Sequence, residues 1–239
     1  MLDTPEPVLP SQDPANQDST GQDLLGGAPP IRLRPMTADD LPLMCRWLAA
    51  AHVQRWWRDS AEPAAVAAEY LPCIDGTEPS HPLIVELPTG PIGFGQWYRW
   101  ADYPDYGRQI GAAADEAGFD YLIGEPACCG HGLGTRLIAA LMRHIREQDR
   151  TLGGFVVDPE ETNTASRRVL EKNGLSLVMI TQVVDPDSPL TGPSAIYRCR
   201  FAEEPASEAS VSAPAGPAEG SVSAVAGPAG GSVGDLGRA

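Results

Sequence analysis

Apolar and polar residues alternate in a way that predicts seven strands between residues 31 and 201. Alternation, or a short apolar run between turn residues, is typical of β-strands because successive side chains point to opposite faces of a sheet. The predicted strands are Ile31–Met36, His81–Leu87, Ile92–Trp100, Gly118–Gly124, Gly154–Val157, Leu175–Thr181 and Ala195–Phe201. The second and third flank Pro88-Thr89-Gly90-Pro91, a turn composition, so we expect an antiparallel hairpin there.

Apolar residues spaced by three and four predict four helices between these strands. The first follows Thr37, a residue type that caps helices, and Pro72 is expected to help end the second. The predicted helical segments are Leu41–Leu48, Pro63–Leu71, the stripe from Leu137 to Ile145, and Asn163–Lys172 with Asn173-Gly174 at its end. The order β-α-α-β-β-β-α-β-α-β-β predicts an α/β (α+β) domain with a mixed central sheet and helices on both faces.

The two ends of the chain differ from this middle part in composition. Residues 1–29 contain five acidic residues, no Lys or Arg, and many Pro, Gln, Ser and Gly. In residues 202–239 the segment 210–220 recurs at 221–231 with nine of eleven positions identical, built mainly from Ala, Gly, Pro, Ser and Val. Such segments bury too little apolar surface to offset chain entropy. We therefore predict one domain at 30–201 between a disordered acidic head, 1–29, and a disordered tail, 202–239.

The formal net charge is −15, and the predicted domain is acidic as well. An acidic domain disfavours nucleic acid as a partner and favours a cationic small molecule. Acids that only keep the protein soluble are the alternative. Two stretches concentrate negative charge that would attract a polycation, unless they are ordinary solvated loops. Their acids are Asp102, Asp105, Asp115, Glu116, Asp120, Glu125, Asp158, Glu160 and Glu161.

The five cysteines include no C-x-x-C pair, and no basic start followed by an apolar run opens the chain. This pattern predicts a reduced, cytoplasmic setting. No apolar stretch approaches the roughly 20 residues of a membrane-spanning helix, so no membrane partner is expected. The four histidines lack ligand spacing with one another or with the cysteines, so no metal site is expected.

A glycine-rich turn joins the fourth predicted strand to the third predicted helix. It contains Cys129-Gly130-His131-Gly132-Leu133-Gly134-Thr135. Alternate glycines let the backbone approach a ligand and turn its N–H groups inward, and the following helix adds its positive end, so such a loop binds phosphate. The turn lacks the Lys-Ser/Thr ending of a P-loop and the third glycine of a G-x-G-x-x-G dinucleotide site. A tight turn without a ligand is the alternative.

This turn resembles motif A of the GCN5-related N-acetyltransferases (GNAT), R/Q-x-x-G-x-G/A, in sequence and in its place between strand and helix. The segment from Asn163 to Gly174 resembles the second signature of that family, N-x-x-S/A-x-x-x-Y/L-E-K-x-G-F. Further residues, including Trp56-Trp57 and Gly118-Phe119-Asp120, resemble the aminoglycoside 6'-N-acetyltransferases over about 31–201. The resemblance implies the GNAT fold with a mostly antiparallel sheet, and acetyl-CoA as co-substrate without a metal.

By that resemblance, two stretches of the chain hold the coenzyme. The backbone of the glycine-rich turn contacts the pyrophosphate, and the strand before it pairs with the pantetheine arm. Asn163 contacts the same arm from the next helix. The implied coenzyme-binding residues are Tyr121, Leu122, Ile123, Gly124, Cys129, Gly130, His131, Gly132, Leu133, Gly134, Thr135 and Asn163.

The resemblance also implies an acceptor pocket with Asp120 as its catalytic carboxylate. A primary ammonium must lose a proton before it attacks a thioester, and a nearby carboxylate serves as base or as the end of a water relay. Asp is depleted in strands, although an Asp facing solvent at a strand edge is the alternative for Asp120. Direct transfer in a ternary complex is expected, without a cysteine nucleophile. The implied substrate-binding residues are Trp56, Trp57, Tyr98, Asp120 and Asp158.

Four tryptophans are candidates for a wall that stacks on sugar rings or cations, and ordinary core packing is the alternative. They are Trp56, Trp57, Trp97 and Trp100. Two other residues depart from the family pattern. Cys129 stands where motif A opens with Arg or Gln, so one phosphate contact is absent or supplied elsewhere. Leu170 stands where many relatives place a Tyr that protonates the leaving thiolate, so turnover should be slower but not abolished.

We infer an acetyl-CoA-dependent N-acetyltransferase acting on a primary amine of a cationic small molecule, with an aminoglycoside 6'-amine favoured. One alternative is a siderophore-type lysine or N6-hydroxylysine N-acyltransferase, although those relatives typically carry His where this chain has Asp120. The others are a coenzyme A-binding module without turnover and a protein-lysine acetyltransferase. The sequence leaves both a monomer and a homodimer open.

Overall fold

The computed structural model of the chain describes residues 28–184 and 192–202. Almost all of the predicted head and tail lies outside these residues. The strands are β1 Arg32–Pro35, β2 His81–Leu87, β3 Gly90–Arg99, β4 Glu116–Ile123, β5 Gly154–Val157, β6 Ser176–Thr181 and β7 Ser194–Arg200. The α-helices are α1 Leu41–Leu48, α2 Ala51–Gln54, α3 Pro63–Asp75, α4 Pro104–Ile110, α5 Leu133–Gln148 and α6 Thr164–Lys172. Within the described ranges, no helix is long and apolar enough to span a bilayer.

One seven-stranded sheet organises the molecule, in the order β1-β2-β3-β4-β5-β7-β6. Neighbouring strands are antiparallel except for β4 and β5, which are parallel. The predicted mixed, mostly antiparallel sheet is therefore confirmed. The predicted hairpin is β2 and β3, in which Leu87 pairs with Gly90 across the two residues Pro88 and Thr89.

Helices cover both faces of the sheet, as predicted, and the alternation along each strand divides the core in two. On β2, Leu83 and Val85 pack with α5 and α6, whereas Ile84 between them packs with α1 to α3. The apolar stripe of α5 is fully buried against the first face. Each such Leu or Ile contributes roughly 1.5–3 kcal/mol by leaving water, which fixes the helix over the sheet.

The structure corrects three helix predictions. Two short helices were not predicted. Helix α2 has only four residues, and α4 lies in Pro104 to Gly111, which combines Pro, Asp and Gly in a pattern typical of turns. The predicted helix Pro63–Leu71 continues through Pro72 to Asp75. Gly76 ends it in a left-handed conformation with φ 81°, so a glycine rather than the proline terminates α3.

Candidate functional site

Strands β4 and β5 separate soon after they begin, and this separation creates the site. They pair only at Glu116–Gly154 and Ala117–Phe155, whereas β4 pairs with β3 over its whole length from Ala117 to Ile123. Beyond Ala117, no strand in 28–184 or 192–202 covers the edge of β4 that faces β5. A gap opens in the middle of the sheet, between the carboxyl ends of two parallel strands. In parallel sheets this is the edge at which ligands bind.

A cavity of about 400 Å³ occupies this gap. Its walls come from β4, from the glycine-rich turn with the first turn of α5, from α6, and from α2 with the residues that follow it. Its lining residues are His52, Val53, Trp56, Trp57, Tyr121, Leu122, Ile123, Cys129, Gly130, Gly132, Gly134, Thr135, Glu160, Asn163, Ala165, Ser166, Arg168, Val169 and Lys172. Since Leu122 packs on the α1–α3 side and Ile123 on the α5–α6 side, the cavity reaches both faces of the sheet.

The glycines of the turn differ in backbone conformation and in what surrounds them. Gly130 and Gly132 have φ of 82° and 74°, conformations that residues with a Cβ rarely adopt. Gly134 lies in the first turn of α5 against Val169 of α6, where a Cβ would make an ordinary contact at 3.4 Å from Val169 Cγ2. The turn therefore exposes its backbone, and the first N–H groups of α5 have no intrahelical acceptor. His131 is exposed and Leu133 is buried, and neither side chain lines the cavity.

The first turn of α6 is fixed by Asn163, whose side-chain Oδ1 accepts a hydrogen bond from Ser166 N at 3.2 Å. This N-cap turns one face of α6 toward the cavity, so that Ser166, Arg168 and Lys172 line it. Sequence reasoning missed these three residues. Arg168 and Lys172 are four residues apart and share a helix face, and this spacing was the available signal for the two cationic residues. Arg168 and Lys172 bring positive charge to the wall where Cys129 brings none.

The end of β4 lines the cavity and also packs against α1 and α2. The carbonyl oxygen of Ile123 lies 2.9 Å from His52 Nε2, and His52 was not predicted to belong to the site. Gly124 does not line the cavity. A Cβ on Gly124 would lie 2.2 Å from the ring of Trp47, so this glycine lets α1 pack on the sheet.

On the α1–α3 side, the predicted tryptophan wall is reduced to two residues. Trp56 and Trp57 line the cavity, and Trp57 Nε1 is buried without a hydrogen-bond partner among the described residues. Trp97 instead stacks on His81, and Trp100 Nε1 donates to the Val156 carbonyl at 3.0 Å. Neither Trp97 nor Trp100 lines the cavity. An unsatisfied buried N–H is costly unless a ligand provides its acceptor.

Asp120 lies inside the protein and not at an exposed strand edge. It is 2% exposed, and its Oδ2 accepts a hydrogen bond from Gln96 Nε2 at 2.9 Å. Asp158 is equally buried, and Tyr106 OH donates to its Oδ2 at 2.7 Å. Neither carboxylate lines the cavity directly, but Asp120 shares a strand face with Leu122, which does. Asp120 thus lies on the α1–α3 face of the sheet beside the cavity, whereas Asp158 packs against Tyr106 of α4.

Tyr98 joins these two carboxylates. Its ring is buried and packs edge-on against Trp100 and Tyr103, so it does not line the cavity. Burial raises the pKa of the Tyr98 hydroxyl well above its usual value, and the charges of Asp120 and Asp158 raise it further. A neutral hydroxyl close to two carboxylates has one proton and can donate a hydrogen bond to one of them.

The acidic stretches are less negative in space than in sequence, because arginines from distant segments pair with four of their nine acids. Arg200 binds Asp115 and Glu116, Arg46 binds Glu125, and Arg58 binds Glu160. The sequence showed only Arg108, which pairs with the exposed Asp105. Gln96 and Tyr106, both neutral, donate hydrogen bonds to Asp120 and Asp158.

The pair of Arg58 and Glu160 also connects two walls of the cavity. Arg58 follows α2, and Glu160 precedes α6, 102 residues further along the chain. Glu160 lines the cavity and is 9% exposed at its side chain, and its carboxylate raises the pKa of the Arg58 guanidinium. Among the described residues, His, Cys, Asp and Glu side chains form no group of three that could hold a metal ion.

Comparison with known proteins places this geometry in a family. Residues 36–182 match the acetyltransferase (GNAT) domain model. Aminoglycoside N(6')-acetyltransferase type 1 of Klebsiella pneumoniae is 32% identical over 162 residues, which are 66% of this chain and 79% of that protein. The enzyme of the same name from Serratia marcescens matches to the same extent.

Solved structures agree with this assignment. Aminoglycoside acetyltransferase AAC(6')-Ib in complex with coenzyme A has a TM-score of 0.63 and 28% identity, covering 72% of this chain and 95% of that one. Its complex with coenzyme A and kanamycin gives 0.62 and 29% over the same shares. Spermidine N-acetyltransferase from Vibrio cholerae shares the fold, at 0.53 and 15% identity over 70% of this chain and 92% of that one. The chain therefore belongs to the GNAT acetyltransferases, enzymes that transfer an acetyl group from acetyl-CoA to an amine.

Proposed function

We propose that this chain acetylates a primary amine of a cationic small molecule, and that the acceptor class is the aminoglycosides, at the 6'-amine. The observation that carries the proposal is the cavity that reaches both faces of the sheet through the gap beside β4. Phosphate-binding features lie on one side of it, and the buried Asp120 carboxylate lies on the other. A thioester held in such a gap can meet an amine from the opposite face in a ternary complex, without a covalent enzyme intermediate.

The coenzyme is proposed to bind along the α5–α6 side. The backbone of Gly130 to Thr135 would hold the pyrophosphate at the positive end of α5. The uncovered edge of β4 from Tyr121 to Ile123 would pair with the amides of the pantetheine arm, with Asn163 opposite. Arg168 and Lys172 line the same region and supply the positive charge that Cys129 does not. The coenzyme thus takes the place of the missing strand pairing.

The amine is proposed to bind on the α1–α3 side. Asp120 is the candidate base because it is the buried carboxylate on β4 beside the gap, and Gln96 Nε2 orients it at 2.9 Å. Asp158, held by Tyr106, would bind a second ammonium of a polycationic acceptor. Trp57 Nε1 is a buried donor to which no described residue offers an acceptor, and a hydroxyl of a sugar acceptor can accept its hydrogen bond. The two relatives of 32% identity act on aminoglycosides, as their names state.

The test is a thiol-release assay with acetyl-CoA and four acceptors: kanamycin, tobramycin, spermidine and N6-hydroxylysine. We expect turnover on the two aminoglycosides, and a fall of at least about 100-fold for Asp120→Asn, as for loss of a general base. The control is Asp105→Asn, an exposed acid paired with Arg108, which should keep its rate. Turnover only on N6-hydroxylysine would assign the enzyme to siderophore acylation. Silence on all four, with coenzyme still bound, would refute the proposed activity.

A further inference from the structure

A pair of hydroxyl groups in the cavity has no role in the proposed function. Tyr121 OH, from β4, and Ser166 Oγ, from α6, lie 2.8 Å apart, and both residues line the cavity. Ser166 is 7% exposed and is held by the Asn163 cap. Two elements that are distant in sequence therefore hold two hydroxyls together at the gap.

The position of Tyr121 follows from the alternation along β4. Asp120 lies on the face of the sheet that carries Leu122 and the α1–α3 core, whereas Tyr121 packs on the α5–α6 side. These adjacent residues therefore stand on opposite sides of the same opening. A thioester that crosses the opening would have the Asp120 carboxylate on its amine side and the Tyr121 hydroxyl on its coenzyme side.

Breakage of the thioester calls for a proton donor on the coenzyme side. The departing sulfur carries the electron pair of the C–S bond, and a thiol of pKa about 8.5 takes up a proton at neutral pH. Leu170, one helical turn after Ser166, is fully buried and has no proton to give. Among the described lining residues, the hydroxyls belong to Tyr121, Ser166 and Thr135, and Thr135 lies in the first turn of α5 beside the phosphate-binding backbone.

We propose that the Tyr121 hydroxyl is the general acid that protonates the coenzyme A sulfur, with Ser166 as the hydroxyl that resupplies it. The neutral amine forms the N–C bond, the C–S bond breaks, and its electron pair stays on sulfur, which takes the Tyr121 proton. The nitrogen loses its extra proton to Asp120, which passes it to water. Tyr121 regains a proton from Ser166, and Ser166 regains one from water in the cavity. This assignment rests on the proposed function of the gap.

The state of Tyr121 agrees with this role. Burial raises the pKa of its hydroxyl to about 12, although the hydrogen bond with Ser166 lowers it. The phenol is therefore protonated at neutral pH and available as a donor. When the Ser166 hydroxyl donates to the Tyr121 oxygen, the Tyr121 proton is free to point into the cavity, and the developing phenolate is stabilised by the same hydrogen bond.

The structure offers a matched control for the test. Tyr103 is also buried, its pKa is also raised to about 12 by burial, and its hydroxyl also lies near a serine, Ser80, at 3.1 Å. Tyr103 does not line the cavity. Tyr103→Phe therefore removes the same atom from the same kind of environment, away from the gap.

The experiment compares thiol release by wild type, Tyr121→Phe and Tyr103→Phe, with and without a saturating amine, together with acetyl-CoA affinity. We expect Tyr121→Phe to lower kcat with amine, and the slow hydrolysis without amine, by about 100-fold each, at the lower end of the range for general acids. Acetyl-CoA affinity should change by less than about threefold, and Tyr103→Phe should match wild type. Ser166→Ala should lower kcat by about fivefold, and it serves as the second variant if Tyr121→Phe does not fold.

The outcomes separate this inference from the proposed function. A loss in Tyr121→Phe without amine supports the donor role whichever acceptor is the true one, since C–S cleavage is common to both reactions. If Asp120→Asn keeps its rate while Tyr121→Phe loses it, the base is wrong and the acid stands. Rates for Tyr121→Phe within threefold of wild type at full coenzyme occupancy, or an equal loss in Tyr103→Phe, overturn the assignment.

Discussion

The two sides of the gap are built in different ways. The coenzyme side consists of three continuous segments, 121–123, 129–135 and 163–172, and its proposed contacts are mainly backbone groups, helix ends and cationic side chains. The acceptor side is assembled from α2, β3, β4 and the residues after β5, and its proposed contacts are side chains alone. A site made of backbone is encoded by local conformation, whereas a site made of side chains depends on distant segments meeting. Substitutions should therefore affect the two sides separately.

The largest expected effect in this comparison is on the coenzyme side, where Arg168 and Lys172 line the cavity. The double change Arg168→Ala and Lys172→Ala should raise the Kd of acetyl-CoA about 30-fold, because two exposed charge pairs with phosphate contribute roughly 1 kcal/mol each. The acceptor KM should stay within twofold. Isothermal titration and steady-state kinetics measure these two constants. Arg143→Ala is the control, because Arg143 is an exposed arginine on α5 that does not line the cavity. An equal rise in the acetyl-CoA Kd for Arg143→Ala would contradict the assignment.

A smaller effect is expected from the conformation of the turn. Gly132→Ala places a Cβ at φ 74°, which costs roughly 1–2 kcal/mol, and the coenzyme Kd should rise about tenfold. Gly76→Ala is the matched control, since Gly76 has φ 81° at the end of α3, away from the cavity. Both variants should lose similar stability in urea unfolding. If Gly76→Ala weakens coenzyme binding as much, the effect is general destabilisation and the turn has no special role.

On the acceptor side, Trp57→Phe removes the unpartnered Nε1 and keeps an aromatic ring against Phe94, which lies at a centroid distance of 5.8 Å. We expect the acceptor KM to rise about fivefold, in line with roughly 1 kcal/mol for one hydrogen bond, with the coenzyme Kd unchanged. Trp97→Phe, away from the cavity, serves for comparison. A change in coenzyme affinity instead would show that the two sides are not separable at this residue.

Asp40→Asn should have the smallest effect on coenzyme and acceptor binding. It should, however, lower the free energy of unfolding. The Arg34 guanidinium, 2.7 Å away, lowers the pKa of Asp40 from 3.8 to about 2. A lowered pKa stabilises the fold above pH 3.8, by about 2 kcal/mol, and this stabilisation is lost as the pH falls toward 2. Urea unfolding should show the loss for Asp40→Asn at pH 7 and a much smaller one near pH 2.5. Equal losses would refute the charge interaction, and both binding constants should stay unchanged.

The sequence indicates more of the coenzyme side than of the acceptor side, because the coenzyme side is built mainly from locally determined backbone conformations. Gly130, Gly132 and Asn163 have conformations that are determined locally, as positive φ values and a helix cap, and the family resemblance assigned them to the coenzyme side. The strands were equally readable, because period-two alternation reflects burial on the two faces. Leu170 and Cys129 were visible as departures from the pattern. Arg168 and Lys172 supply the charge that Cys129 lacks, and Tyr121 supplies the hydroxyl group that Leu170 lacks. These residues could be identified only once the structure placed α6 beside β4.

The acceptor side could not be predicted from local sequence patterns. The ion pair of Arg58 and Glu160 joins residues 102 positions apart, and no local pattern marks either partner. His52 lies on a four-residue helix that is too short to show periodicity. The acidic stretches also looked more negative than they are, because Arg198 and Arg200 reach Glu116 from the last strand. Charge summed along a sequence overstates the field when its counter-charges come from other strands.

The gap between β4 and β5 has a consequence for the lifetime of the protein. The sheet gives up backbone pairing with β5 along the end of β4, and in the proposed binding mode the coenzyme would act there as a removable extra strand. A ligand that binds only the native state raises the free energy of unfolding by mass action, by about 2.7 kcal/mol at 100 times its Kd. Proteases attack the opened chain, so resistance to degradation should rise and fall with the coenzyme pool of the cell.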